Sequence, residues 1–218
     1  LTAELRLDKA KIFYTENGEE PTEKSLAYQG PILVSEAATY RFKAFHPFWR
    51  PSETEEIKFV MKGCNVDSII WLQPLNDQYF GQGPRTLVNH VKASNNYLNR
   101  EWLGFDKPVG LVCKFEQSTR ISSIDIGYLS HPGAWIFPPA KITIDVSHDG
   151  IHFKKKSEEV VPVLQKAMDA SLATYHIELN EDVFAIRILF DNVQKIPEWH
   201  DGAGNEAWLF MDEIIFNK

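Results

Sequence analysis

Cysteine is scarce in this chain of 218 residues, which holds only Cys64 and Cys113. Two thiols cannot build a disulfide framework, and their number alone establishes no bridge. Cys113 lies in the alternating run Leu111-Val112-Cys113-Lys114-Phe115 and reads as a small buried apolar side chain, while Cys64 reads as an incidental thiol beside Gly63. Basic charge is also short. Lys and Arg number 23 against 30 Asp and Glu, giving a formal charge of −7, so the basic face that a nucleic-acid partner requires is not expected. Long apolar runs are missing as well, and nothing approaches the roughly 18 residues of a membrane-crossing helix. Membrane insertion is therefore not expected. Leu1-Thr2-Ala3-Glu4 lacks the basic start and apolar stretch of a signal peptide. With no initiator Met, the chain reads as cut from something longer.

Helical periodicity is the next shortage. The best candidate, Val160 to Ala173, contains Pro162 and sustains no apolar stripe, so it reads as loop with at most a short helical turn. Short alternating runs are what the sequence does contain. Lys11-Ile12-Phe13-Tyr14 leads into the turn dipeptide Asn17-Gly18. Thr39 to Phe45 puts Tyr40, Phe42 and Ala44 on one face. Further strands are predicted at Ser122–Gly127, Lys141–Ser147, Thr174–Leu179, Ala185–Phe190 and Leu209–Phe216. Asp149-Gly150 and Asn180-Glu181-Asp182 supply turns between them. Many short strands with regular turn signals predict all-β sandwiches. The pattern breaks at Met61-Lys62-Gly63-Cys64-Asn65. We expect a first domain over 1–62, a linker over 63–69 and a second domain over 70–218.

The first domain carries Ile12-Phe13-Tyr14-Thr15-Glu16-Asn17-Gly18-Glu19-Glu20-Pro21-Thr22, then Ser25, Tyr28, Gly30-Pro31-Ile32 and Arg41-Phe42-Lys43-Ala44-Phe45. This pattern resembles the small sandwich that follows the catalytic domain in chitobiases and β-hexosaminidases. The resemblance implies a fibronectin-III-like β-sandwich acting as a spacer. Trp49, in the loop His46 to Pro51, is read as packing on a neighbouring domain, with sugar contact as the alternative.

In the second domain three segments stand out: Leu87 to Phe105; Ile124 to Pro139 with Val146 to Gly150; and Pro197 to Ile214, closing on Ala207-Trp208-Leu209-Phe210-Met211-Asp212-Glu213-Ile214. Together they resemble the discoidin (coagulation factor V/VIII type C) fold, which includes the family 32 carbohydrate-binding modules. The implied architecture is a galactose-binding-like, eight-stranded jelly-roll sandwich with its ligand site in loops at one end. A sugar offers hydroxyls on its edges and weakly apolar C–H faces, so its site needs exposed aromatic planes and a few directional polar groups. Trp135 on the Pro132-Gly133-Ala134-Trp135 bend, with His131, meets that need. So does Trp199 beside His200, Asp201 and Asn205, where Gly202 and Gly204 are expected to loosen the backbone. Asn99 and Arg100 complete the candidate set. The alternative is that Trp135 and Trp199 pin their own loops from below. Trp71, Trp102 and Trp208 are assigned to the core.

The same resemblance implies a structural calcium ion, although no cofactor is required by the reading. Its oxygens would come from the carbonyls of Thr86, Val91 and Asp212, the Asn89 side chain and the Glu213 carboxylate. The family's Asp-Gly pair is here Asn89-His90, which removes one charge and one glycine.

Catalysis within the chain is not expected. Glu198 and Asp201 sit on a Gly-rich loop, and Asp212 and Glu213 are neighbours on a strand, where side chains alternate. No Cys-His cluster with metal-ligand spacing is present. The sequence reads as a non-catalytic, carbohydrate-binding accessory region of a secreted, periplasmic or cell-surface glycosidase. Its partners would be a galactose- or N-acetylhexosamine-type glycan and the parent's own catalytic domain, with this region monomeric. A protein-docking or adhesion role without sugar is the rival.

Overall fold

The computed structural model describes residues 1–60, 63–162 and 168–218. Twelve strands run along them. They are β1 (Lys11–Thr15), β2 (Leu26–Ala27), β3 (Ala38–Phe45), β4 (Glu55–Phe59), β5 (Ser68–Trp71), β6 (Val91–Lys92), β7 (Leu103–Phe105), β8 (Val109–Ser130), β9 (Lys141–Ser147), β10 (Lys154–Val160), β11 (Ser171–Asp191) and β12 (Leu209–Asn217). Two short helical turns, Thr86–Val88 and Pro132–Ala134, are the helices among the described residues. The all-β expectation holds.

The chain forms two compact units: Leu1–Lys62 with His90–Lys92, and Gly63–Asn89 with Ala93–Lys218. In the first, the described strands join one antiparallel sheet in the order β2-β1-β3-β4-β6. The alternation seen in β3 decides what is inside: Tyr40 and Phe42 are buried, and Tyr14, opposite Phe42 in register, stacks on both rings. Burying such rings contributes roughly 2 kcal/mol each. Asn17-Gly18 turns as the dipeptide predicts, with Gly18 at φ 76° and its N–H donating to the Thr39 carbonyl.

In the second unit seven strands run in the order β10-β9-β11-β8-β12-β7, with β5 pairing on β8. Eight were expected. β8 and β11 are each a single long strand, paired antiparallel along two arms separated by register shifts between Glu178 and Glu181 and between Val183 and Ala185. The turn predicted at Asn180-Glu181-Asp182 is one of these irregularities. Asn180 takes φ 55°, a conformation Asn tolerates, and the strand continues past it. Side chains of β8, β9, β11 and β12 fill one core, among them Leu111, Ile126, Ile144, Ile188 and Phe216.

Residues 63–69 are not a linker here. Cys64 and Val66 are buried in the second unit's core, the Cys64 N–H donates to the Phe216 carbonyl, and β5 begins at Ser68. The physical reason is apolar content: Cys64 and Val66 alternate, which places both on the inner face. Cys113 is wholly buried as expected, with its thiol pushed up to about 12 by desolvation. Both cysteines are free thiols. Of the loop expected over 160–173, residues 163–167 lie outside the described residues.

Candidate saccharide site

β8 ends at Ser130 and β12 begins at Leu209, and these termini lie side by side because Leu129 is opposite Phe210. The loop that leaves β8 and the loop that enters β12 therefore meet at one end of the second unit. Their meeting is hydrogen-bonded throughout. His131 and Ile136 form a bridge, the Phe137 N–H donates to the Trp208 carbonyl, and the Trp208 N–H donates to the Trp135 carbonyl at 2.9 Å.

Trp135 caps the helical turn Pro132–Ala134 in a left-handed conformation, φ 65° and ψ 22°, with its N–H donating to the Pro132 carbonyl at 2.8 Å. A bulky residue in that region costs about 1–2 kcal/mol, so the surrounding bonds must over-determine it. The result is an indole that remains 41% exposed. Its pyrrole edge lies against Gly202, where a Cβ would come within 3.0 Å of Trp135 Nε1. Gly202 thus makes room for the ring, a different role from the loosening expected of it.

The loop from Asn192 to Trp208 is better held than its glycines suggested. The Ile196 N–H donates to the Asn205 carbonyl, Lys195 pairs with Glu206, and the Ala207 N–H donates to the Gln194 carbonyl. These rungs make a short ladder whose tip carries residues 197–204, with Gly204 at φ 82°. Asn205 Nδ2 donates to the Gly202 carbonyl, closing the tip on itself.

His200 is buried and serves to tie the loops together. It is 7% exposed, its Nε2 bonds to the Pro132 carbonyl at 3.1 Å, and its Nδ1 accepts the Gly202 N–H at 2.9 Å. Those partners require the Nε2–H tautomer and tie one loop to the other. Trp199 is also displaced from its expected role. It is half-buried over Phe137, Ile196 and Ala207, set edge-to-face against Phe137 at 6.3 Å and His200 at 5.6 Å. An apolar cluster beneath the loop captures this indole, which the polar neighbours Glu198 and Asp201 concealed. Trp102 and Trp208 pack in the Phe210 cluster, and Trp71 packs on the main core, as assigned.

The polar groups divide in the same way. Asp201 is exposed and makes no hydrogen bond or ion pair among the described residues. Half-buried His131 stacks edge-on with Tyr97 at 6.0 Å, which brings the loop over 94–101 alongside. In that loop Asn99 is consumed locally: its Nδ2 donates to Ser94 Oγ and its Oδ1 accepts from Asn96 Nδ2. Arg100 is exposed, with Nε donating to the Gly81 carbonyl at 3.3 Å. The structure therefore brings Trp135, His131, Asp201 and Asn205 together on two abutting loops, with Tyr97 linking the third. Tyr97 and Gly202 are the contributors whose roles the sequence did not disclose.

The proposed calcium ligands fare differently. Thr86, Asn89, Asp212 and Glu213 belong to the second unit, and Val91 to the first as part of β6. Asp212 and Glu213 fall at a register shift between Met211 and Ile214, so strict alternation does not apply and both are buried. The Asp212 carboxylate accepts the Ala93 N–H through Oδ2 and the Glu213 N–H through Oδ1. No group of three or more His, Cys, Asp or Glu side chains arranged for a metal occurs among the described residues. The set as predicted holds a single side-chain carboxylate, that of Glu213, beside carbonyls and one amide, a low charge for a hard dication.

Residues 1–56 match the family model described as the chitobiase/beta-hexosaminidase C-terminal domain, in accord with the resemblance of the first domain. Comparison with curated proteins found no match. Among solved structures, a pectin-binding carbohydrate-binding module is similar at 11% identity and TM-score 0.43, over 71% of this chain and 92% of that one. The Clostridium perfringens module CpGH89CBM32-5, solved with GalNAc-beta-1,3-galactose, is similar at 15% identity and TM-score 0.45, over 69% and 94%. The C-terminal domain of a chitobiase from Bacteroides fragilis is similar at 12% identity and TM-score 0.41, over 70% and 91%. These similarities are too distant for any function to be read from them.

Proposed function

We propose that this chain is a non-catalytic accessory region that holds a parent glycosidase on glycan through a shallow platform centred on Trp135. The observation that carries the reading is the left-handed, over-determined backbone of Trp135, which keeps a large apolar ring in solvent. Strain of this kind clusters where a side chain must be presented rather than packed. The loop segment against the indole, through Gly202, also carries exposed Asp201 and the Asn205 amide, groups that bond hydroxyls while the ring covers a C–H face. The family match over residues 1–56 supports a glycosidase parent, and with it a secreted or cell-surface setting. Because few contacts offset the desolvation of many hydroxyls, affinity is expected on the order of 0.1–1 mM.

A glycan array tests this directly. The wild-type chain is expected to give sugar signal that Trp135→Ala abolishes with an unchanged circular dichroism spectrum. Trp199→Ala is expected to lower thermal stability first, because it empties the cluster under the loop. A blank array, or full binding by Trp135→Ala, overturns the reading and leaves protein docking in its place.

A further inference from the structure

The first unit carries an aromatic pair that the proposed platform does not use. β3 turns into β4 through His46-Pro47-Phe48-Trp49, a tight turn closed by a His46–Trp49 bridge, with Pro47 at the position that its fixed φ favours. Phe48 and Trp49 stand 81% and 69% exposed. Each ring nonetheless has an edge-on neighbour in His46, whose ring is 5.9 Å from Phe48 and 6.5 Å from Trp49, both at 63°. The His46 ring is fixed in turn: Nδ1 accepts the Phe48 N–H at 3.1 Å and Nε2 meets the Asp8 carbonyl at 3.1 Å. The second bond makes His46 the Nε2–H tautomer and draws the segment around Asp8 and Lys9 to the base of the tip. Exposed Asp8 and Lys9 thus join the tip through the His46 bond, and exposed Arg50 follows Trp49 in the chain.

We infer that this tip is a second saccharide-binding site, independent of Trp135, which stacks the pyranose rings of a glycan on Phe48 and Trp49. A sugar is selected over a protein surface on three grounds. Two aromatic rings offer roughly 300 Å², whereas a stable protein interface needs about 800 Å² from each partner. Pre-set rings lose little conformational freedom on binding, which matters most for a ligand that makes few contacts. The carboxylate, ammonium and guanidinium of the tip supply an acceptor and donors for hydroxyl groups in addition to its apolar rings, the composition a saccharide requires.

The test uses the whole chain carrying Trp135→Ala, so that failure of the first platform does not disturb it. The probes are β-1,4-linked hexamers of N-acetylglucosamine and of glucose, followed by NMR at the Trp49 indole N–H and the Phe48 amide. Saturable shifts at both positions are expected with at least one hexamer. Phe48→Ala with Trp49→Ala is expected to weaken binding at least tenfold while the spectrum elsewhere stays folded. His46→Gln serves as the milder variant, expected to weaken binding several-fold by removing the edge-on neighbour. Absence of shifts with both hexamers overturns the inference. So do shifts produced only by vesicles of phosphatidylcholine and phosphatidylglycerol, or sedimentation showing self-association that the double variant removes.

Discussion

A single missing Cβ decides whether the Trp135 ring has a place to lie. An ideal Cβ at Gly202 would stand 3.0 Å from Nε1 and 3.1 Å from Cε2 of that indole, and 3.3 Å from His200 Nδ1. Gly202 does not require a left-handed backbone, so its substitution acts through the neighbour and not through strain. Gly202→Ala is expected to shift the ring by a few tenths of an ångström and weaken sugar binding by up to about tenfold. Titration of the variant by NMR would show it; unchanged affinity would mean the ring does not bind. A second residue governs pH. His176 bonds Asp125 through Nδ1 at 2.6 Å and Glu178 through Nε2 at 3.1 Å, and these carboxylates, Asp125 first, raise its pKa above the ordinary 6.5. A raised folded value means the imidazolium stabilises the fold fully below pH 6.5, and that contribution is lost as pH climbs through the folded value. The ring is half-exposed, which keeps the effect small. Thermal melts of His176→Gln should therefore fall less than wild type between about pH 6 and 8; an equal fall removes His176 as the cause.

At the scale of strands, the pairing of β9 with β11 rests partly on an ion pair formed across the register. Asp145 lies directly opposite Arg187, and both Nε and Nη2 of Arg187 reach its Oδ2, at 2.7 and 2.6 Å. The guanidinium also sits 4.9 Å from the Phe153 ring centroid. Asp145 is buried while Arg187 is about a third exposed, so removing the arginine strands a charge the protein has taken out of water. Arg187→Leu is expected to cost about 2–3 kcal/mol in denaturant unfolding, and adding Asp145→Leu to recover most of it. A double variant no more stable than the single one would argue against this. These strands also show what sequence could and could not disclose. β9 was legible to the residue, because Ile142, Ile144 and Val146 alternate with polar partners that happen to be buried too. The length of β11 was hidden, since Asn180 in a left-handed position looks the same in sequence whether it ends a strand or bulges it. The linker failed for a related reason: Gly63 drew attention, and two alternating apolar residues beside it carried the fold. The exposure of Trp135 was legible because Pro132 and Gly133 announce a bend. Trp199 and His200 were not, because only tertiary contact distinguishes a polar loop that presents its aromatics from one that sits on them.

Across the whole molecule the question is whether a metal contributes to stability. The chain carries a net charge of −7, so a dication would find an attractive field almost anywhere, and net charge alone cannot argue for a site. What matters is whether oxygen ligands are held ready. Both oxygens of Asp212 accept backbone N–H groups, from Ala93 and from its own neighbour Glu213, and the Ala93 bond joins the last described strand to the segment after β6. That is the same linking role a calcium ion would serve, performed by a carboxylate and one amide. His90 adopts φ 64°, so the backbone follows a glycine-like path there although the glycine is gone. The loop shape is thus kept while the charge that would hold a cation is reduced. The unfolding midpoint should accordingly be the same, within about 1 °C, in EDTA and in millimolar calcium. A rise of several degrees with calcium, saturating at one equivalent, would show that Glu213 and the neighbouring carbonyls do assemble a site. Asp212→Asn separates the two arrangements further: it keeps an acceptor for one amide but not both, and should lower stability by about 1–3 kcal/mol whether or not calcium is present.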